Sequence, residues 1–305
     1  MRFADLLHDG GMDTISGNPR ITDDDVAQLR SWEGRSETVA DSITGAPVHA
    51  LAATLDHASA AADPGAELPP LWHWLYFLPR ARQSELGEDG HPRLGGFLPP
   101  VPLPRRMWAG GRLQWRAPLR VGHRAERTSR IASVTHKAGR TGDLVFVVVR
   151  HDIASAGGLA LTEEHDIVYR APPQPGDAPP PPQAAPADAV WNREIVPDPV
   201  LLFRYSALTF NGHRIHYDRS YVTQVEGYPG LIVHGPLIAT LLMDLATRER
   251  PGARVAGFSF KAIRPTFDLH PFRVCGRPSA DGRSADLWAQ DHEGWLTMQA
   301  RIEFA

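Results

Sequence analysis

The stretch EGYPGLIVHGPLIATLL, Glu226 to Leu242, decides the fold. From Leu237 onward, Leu237, Ile238, Leu241, Leu242 and Leu245 recur at spacings of three and four, which places them on one broad face of an α-helix. Gly235 and Pro236 mark its opening, since proline is tolerated in a first helical turn. A helix with so wide an apolar face is expected to be mostly buried. The segments that follow, RVCGRPSA, ADLWAQDHE and WLTMQARIEF, are rich in β-branched and aromatic residues between Gly or Asp turns, as antiparallel strands are.

Working outward, AGFSFKAIRP (Ala256 to Pro265) aligns without gaps on AGGRLQWRAP (Ala109 to Pro118), matching at Ala, Gly and Pro. Each reads as a strand entered through a glycine. Upstream of the earlier copy, Leu71, Trp74, Leu75 and Leu78 predict a second helix that ends near Pro79. Downstream of it, TGDLVFVVVRHDI and EEHDIVYRA read as strands. The expected class is therefore α+β, with a central helix wrapped by an antiparallel sheet, written twice. Between Ala171 and Ala189 lie eight prolines in nineteen residues, a stretch that favours extended polyproline conformations and buries little. It reads as a linker (171–189) between an N-terminal unit (1–170) and a C-terminal unit (190–305).

Composition narrows the function. Of 305 residues, 42% are apolar or aromatic and 22% charged, which excludes wholesale disorder. The net charge of −3, with basic residues scattered, argues against a nucleic-acid partner. Cys275 is the only cysteine, so neither an intrachain disulfide nor a zinc site of several thiolates is available. The opening MRFADLLHDGGMDT lacks a basic region followed by an apolar run, and runs such as Val145 to Val149 fall far short of the ~18 residues of a membrane span. No membrane partner and a cytoplasmic location are expected.

The residues with chemistry to offer precede the helix, in FRYSALTFNGHRIHYDRSYV, Phe203 to Val222. His213, His216 and Asp218 sit there, and His234 and Gly235 stand at the helix entry. A helix N-terminus presents unpaired N–H groups and the positive end of the helix dipole, and Gly235 lets a substrate oxygen approach closely. Such a place suits a polarised thioester carbonyl or an oxyanion.

This loop resembles that of MaoC-like (R)-specific enoyl-CoA hydratases, whose pattern is Asp, any residue, Asn, Pro, a branched aliphatic, His, any residue, Asp. With His216 on the family histidine, Asn211 falls on the first Asp, His213 on Asn, Arg214 on Pro, Ile215 on the aliphatic and Asp218 on the last Asp. VHGPL resembles the helix-entry motif. WEGRSETVADSIT and GGFLPPVPLPRRMWAGG are similar to hydroxyacyl-thioester dehydratase type 2 proteins and to mesaconyl-C4-CoA hydratases. The resemblance implies a double hot-dog fold and a hydratase or dehydratase of α,β-unsaturated acyl thioesters, with no cofactor beyond the CoA or carrier-protein arm of the substrate and a possible homodimer. It assigns catalysis to His216, Asn211 and Gly235. His213, Arg214, His234 and Arg264 are the candidates for binding substrate.

Asn211 departs from the hydratase pattern. An amide has no useful proton affinity and can only orient, so His216 would be the principal base. Asp218 reads as a turn or capping residue, and His213 as either a substrate contact or a loop support. His73 and His136 have no comparable loop around them, which suggests an N-terminal copy that has lost its own site and shapes the acyl or pantetheine tunnel. The segment His91 to Gly111 is too proline-rich for regular structure and reads as a packed loop or a lid. Two other functions stay open: a thioesterase using Glu226 or Asp244, and a non-catalytic acyl-thioester binder. A free carboxylate on the substrate, as in mesaconyl-C4-CoA, would call for a fixed Arg, and Arg214 and Arg264 are placed for it.

Overall fold

A computed structural model describes residues 20–58, 61–139, 142–171 and 181–305. Ten strands follow one another in the order β1 (Ser36–Ser42), β2 (Arg105–Trp115), β3 (Arg124–Gly139), β4 (Gly142–Ser155), β5 (Gly158–Arg170), β6 (Trp191–Ile195), β7 (Val255–Ala262), β8 (Phe272–Pro278), β9 (Ser284–Gln290) and β10 (Leu296–Phe304). The helices are α1 (Asp23–Arg30), α2 (Gly45–Thr54), α3 (Pro199–Leu208), α4 (Arg219–Gln224) and α5 (Gly235–Glu249). All the strand pairs are antiparallel, and they form one sheet in the order β1-β3-β4-β5-β2-β7-β10-β9-β8-β6.

The two segments that align in sequence are the strands that join the halves. β2 pairs with β7 from Gly110↔Lys261 to Gln114↔Gly257, so two expected sheets are hydrogen-bonded into one of ten strands. Glycine makes the join possible. A Cβ at Gly110 would lie 2.5 Å from the Phe260 carbonyl oxygen, and one at Gly111 2.8 Å from that of Glu164.

α5 is the expected central helix. Every residue from Leu237 to Ala246 is buried, so the stripe read from the sequence is one side of a helix covered all round. It packs on β6, β8, β9 and β10. Burial of each leucine there contributes roughly 1.5–3 kcal/mol.

The N-terminal half departs from expectation. Leu71 to Leu78 forms only a short 3₁₀ turn, Trp72–Leu75, and the helix of this half is α2. Pro69, Pro70 and Pro79 leave too little chain for a helix, and Leu71 (φ 70°) and Phe77 (φ 55°) take left-handed conformations that interrupt one. Val48, Leu51 and Ala52 of α2 are buried in the core shared with α5. A second cluster, built on Ile131, Val145, Val147, Val149 and Tyr169, is closed by Leu29 of α1.

The central part of the linker, residues 172–180, lies outside the described residues. Its end is tied to the C-terminal half, where Leu296 N–H donates to the Gln183 carbonyl at 2.8 Å and Ala184 bridges Trp295. Among the described residues, no helix is long and apolar enough to cross a membrane.

Candidate active site

The loop between α3 and α4 begins at a sharp exit from α3. Asp198 caps the start of α3 by accepting from the amides of Val200 and Leu201, and Phe210 turns the chain out with φ 50°. Asn211 follows, and its side-chain oxygen accepts from the His213 amide at 3.0 Å. That bond shapes the turn carrying His213.

His216 ends a short 3₁₀ turn, Arg214–His216, and is 7% exposed. Its Nδ1 lies 2.7 Å from the Ile232 carbonyl oxygen. A carbonyl only accepts, so Nδ1 carries the hydrogen and Nε2 is left with a free lone pair. Burial lowers the basicity of this ring to a pKa of about 4, against the smaller opposing effect of Ile232. His216 is therefore neutral at pH 7 and able to accept a proton. It stacks on His234, with ring centres 3.7 Å apart and planes 18° from parallel.

His234 is fully buried and hydrogen-bonds the Ser206 hydroxyl through Nε2 at 2.8 Å. It is not among the residues lining the cavity, and its ring lies against that of His216. Gly235 is the first residue of α5 and lines the same cavity as His216, and a first-turn amide has no intrahelical acceptor. Pro236 has no N–H, so Gly235 and Leu237 carry the free amides ahead of the first helical bond, from Ile238 to the His234 carbonyl.

Arg214 also lines the cavity. Its Nε and Nη2 donate to Asp218 at 3.0 and 2.8 Å, and its Nη1 donates to the Glu88 carbonyl at 3.0 Å. The guanidinium is spent on loop structure. Asp218 caps α4 through the Tyr221 amide, the structural part expected of it. Arg264 lines the cavity with a buried Nη1 that makes no hydrogen bond, 3.5 Å from Asp291. The Thr266 and Thr297 hydroxyls beside it in the cavity wall are likewise buried without partners.

The cavity has a volume of about 1760 Å³ and is lined by both halves of the chain. That exceeds the ~300–1,000 Å³ of an ordinary small-molecule pocket and leaves room for an acyl group with a pantetheine arm. Part of its N-terminal wall is polar and was missed in the sequence. Glu163, 2% exposed, accepts from His73 at 2.9 Å, Trp74 at 2.8 Å and His165 at 2.5 Å. Burial opposes its ionisation, but the two histidines outweigh that and hold the carboxyl well below the usual range. His73 thus belongs to the cavity wall, whereas His136 pairs with Asp143 at 3.0 Å on strands β3 and β4.

The segment from His91 also differs from expectation. Residues 105–111 begin β2, while residues 86–104 form a loop laid against the C-terminal loop. Arg214 N–H donates to the Asp89 carbonyl at 2.9 Å. Gly90 has φ 87°, and a Cβ there would lie 1.9 Å from the Gly212 carbonyl oxygen. This contact delivers Asp89 and His91 to the site. Asp89 Oδ2 is 2.9 Å from His91 Nδ1, and the His91 ring lies 4.0 Å from that of His213, centre to centre. Asp89, His91 and His213 bring three possible metal-ligating atoms within 4.8 Å of one another, the one such group among the described residues. An Asp-Gly turn was the only signal for it in the sequence, since nothing local tells which loop it meets.

The carboxylates weighed for hydrolysis have other uses. Asp244, 5% exposed, is held by Arg193 and Arg248 at 2.8 Å each and by His57 at 2.7 Å. Glu226 lines the cavity but lies 3.4 Å from Arg105 and accepts from the Tyr221 hydroxyl.

Residues 71–268 match the family model of hydroxyacyl-thioester dehydratase type 2. The chain is 51% identical over 277 residues to mesaconyl-C(4)-CoA hydratase of Chloroflexus aurantiacus, an alignment covering 91% of this chain and 98% of that one. Among solved structures it is similar to HtdX of Mycobacterium tuberculosis, with TM-score 0.60, 16% identity and coverage of 89% and 100%. A second Mycobacterium tuberculosis protein, described as having a double hotdog fold, matches with TM-score 0.54, 15% identity and coverage of 89% and 96%. Two helix-bearing halves on one antiparallel sheet, and a family match running from the turn at Trp72 past the end of β7, make the chain a double hot-dog member of the hydroxyacyl-thioester dehydratase type 2 family.

Proposed function

We propose that the protein is a hydro-lyase that adds water across the double bond of an enoyl-CoA, with mesaconyl-C4-CoA as substrate and citramalyl-CoA as product. The observation that carries the reading is the state of His216. Its hydrogen is fixed on Nδ1 by the Ile232 carbonyl, so its bare Nε2 is the nitrogen that can take a proton from water. The enolate-like charge that develops on the thioester oxygen is met by the Gly235 amide at the positive end of α5. Asn211 keeps the loop in register through the His213 amide and moves no proton.

The substrate class is supported by the identity to the Chloroflexus enzyme across nearly its whole length. CoA rather than carrier protein is proposed as the acyl carrier, supported by that relative's name, and a homodimer is the proposed assembly. The proposed organisation is residues 1–170 shaping the tunnel, residues 171–189 linking, and residues 190–305 carrying His216 and Gly235. The thioesterase alternative is disfavoured because Asp244 is enclosed by cations.

The test is incubation with a panel of enoyl-CoA thioesters, including mesaconyl-C4-CoA and crotonyl-CoA, followed by mass analysis. A gain of one water on the carboxylated substrate is expected. Release of free CoA thiol would instead indicate a thioesterase, and binding without turnover a non-catalytic protein.

A further inference from the structure

Three side chains on the cavity wall take no part in the proton transfer assigned to His216. Asp89, His91 and His213 bring a carboxylate oxygen and two imidazole nitrogens within 4.8 Å of one another. Asp89 and His91 belong to the N-terminal half and His213 to the C-terminal half, and all three line the cavity.

Backbone contacts fix both sides of the group. Leu86 and Pro92 form an isolated β-bridge, and between them the Gly87 amide donates to the His91 carbonyl at 2.7 Å, so Asp89 and His91 sit on one closed turn. Asp89 Oδ1 accepts from the His91 amide at 2.9 Å, and Oδ2 lies 2.9 Å from His91 Nδ1. The Arg214 amide donates to the Asp89 carbonyl at 2.9 Å, and Gly90 is pressed against the Gly212 carbonyl too closely for any Cβ. The turn is thereby seated on the two neighbours of His213. The His213 amide is taken by Asn211, but its ring, 4.0 Å from that of His91, makes no hydrogen bond through either nitrogen among the described residues.

Two imidazoles and one carboxylate suit a divalent ion of the zinc type, whereas magnesium and calcium prefer shells of oxygen alone. Around a tetrahedral zinc with bonds of ~2.0–2.1 Å, neighbouring donors stand about 3.3 Å apart, so the three side chains need to close by at most about 1.5 Å. Three protein ligands leave a fourth position for water or an oxygen donor from the cavity. Arg106, whose charge reaches both rings, opposes a cation there, so binding should be weaker than at a closed site of four ligands.

We infer that Asp89, His91 and His213 form a binding site for a zinc-type divalent ion, which on binding ties the turn at residues 86–92 of the N-terminal half to the α3–α4 loop of the C-terminal half. Zinc binding and hydration are read out separately, so either can fail alone.

The test uses the full chain, stripped of metal with a chelator and titrated calorimetrically with zinc alone, with thermal melting of the metal-free form to establish folding. One zinc per chain is expected, together with a rise in melting temperature, because an ion that binds only the folded chain stabilises it. Asp89→Asn, His91→Gln and His213→Gln should each weaken binding at least ~10²-fold, the upper end of what loss of a residue that merely supports a ligand costs. His270 and His292, stacked 3.9 Å apart and outside the cavity lining, are the rival pair, and His270→Gln should leave binding unchanged. Cobalt(II) in place of zinc should give the intense visible absorption of a low-coordinate, nitrogen-ligated ion, and His213→Gln should lose it. Failure of the folded chain to bind zinc, undiminished binding in folded His91→Gln and His213→Gln, loss of binding in His270→Gln, or a preference for magnesium would each overturn the assignment. If a variant does not fold, the cobalt spectrum of the unmodified chain still decides: the faint absorption of a hydrated, six-coordinate ion would overturn it as well.

Discussion

The imidazole of His216 lies flat on that of His234, with ring centres 3.7 Å apart, and the Ile232 carbonyl fixes its edge. Two contacts from residues next to the α5 entry thus set both the orientation and the tautomer of a ring carried by a separate loop. Replacing His216 by Ala should lower kcat by at least ~10²-fold with little loss of folding. Near-normal turnover in this variant would remove His216 from the chemistry.

Asn211 orients rather than reacts, and its two replacements should therefore separate. Asn211→Asp keeps an oxygen to accept from the His213 amide and should retain substantial activity. Asn211→Ala loses that bond and should lower kcat about tenfold or more through a displaced His213. Collapse of Asn211→Asp to the level of His216→Ala would mean that the amide's own N–H donors are required.

Substrate choice should depend on Arg264 and not on Arg214. Arg214 is held by hydrogen bonds to Asp218 and the Glu88 carbonyl, whereas Arg264 lines the cavity with a buried Nη1 that makes no hydrogen bond and is only loosely paired with Asp291 at 3.5 Å. Arg264→Ala should cost ~1.5 kcal/mol or more in kcat/KM on mesaconyl-C4-CoA beyond its cost on crotonyl-CoA. Arg214→Ala should weaken both substrates alike. Equal losses for Arg264→Ala on the two thioesters would refute this account of selection.

Asp244 contributes to stability alone. Removing it leaves Arg193 and Arg248 without their shared carboxylate, and both are partly wet. Asp244→Ala should lower unfolding free energy by about 2–4 kcal/mol in a denaturant titration, with kcat per folded molecule unchanged. A specific loss of kcat would return Asp244 to the list of reacting groups.

Buried histidines should make the fold acid-sensitive. Burial is the largest cause of lowered basicity in His216, brought to about 4, and in His213, His234 and His151, all held below the ordinary value. The unfolded chain, with histidines near ~6.5, binds more protons below that pH. Their contribution is fully present above pH ~6.5 and is lost as the pH falls towards 4, His216 alone accounting for roughly 3 kcal/mol. Melting temperatures between pH 7.5 and 4.5 should fall accordingly, and a flat profile would contradict the buried neutral rings.

Local pattern made much of this protein legible. The period of Leu237 to Leu245 is helical however the chain packs, and β-branched runs between glycines alternate inward and outward on either side of a sheet. The order of Asn211, His213, His216, Asp218 and Gly235 carried the family. Pattern failed where packing overrode it. Leu71 to Leu78 has helical spacing, but bracketing prolines and the pull of Glu163 on His73 and Trp74 made it a turn. α2, with Val48, Leu51 and Ala52 set among further alanines, shows no clear stripe to read. The meeting of Gly90 with Gly212, which brings Asp89 and His91 beside His213, joins residues more than a hundred positions apart. Periodicity reports only neighbours along the chain. Which loop of one half closes over which loop of the other was decided by the tertiary structure, through the β2–β7 pairing that fixes the two halves on one sheet.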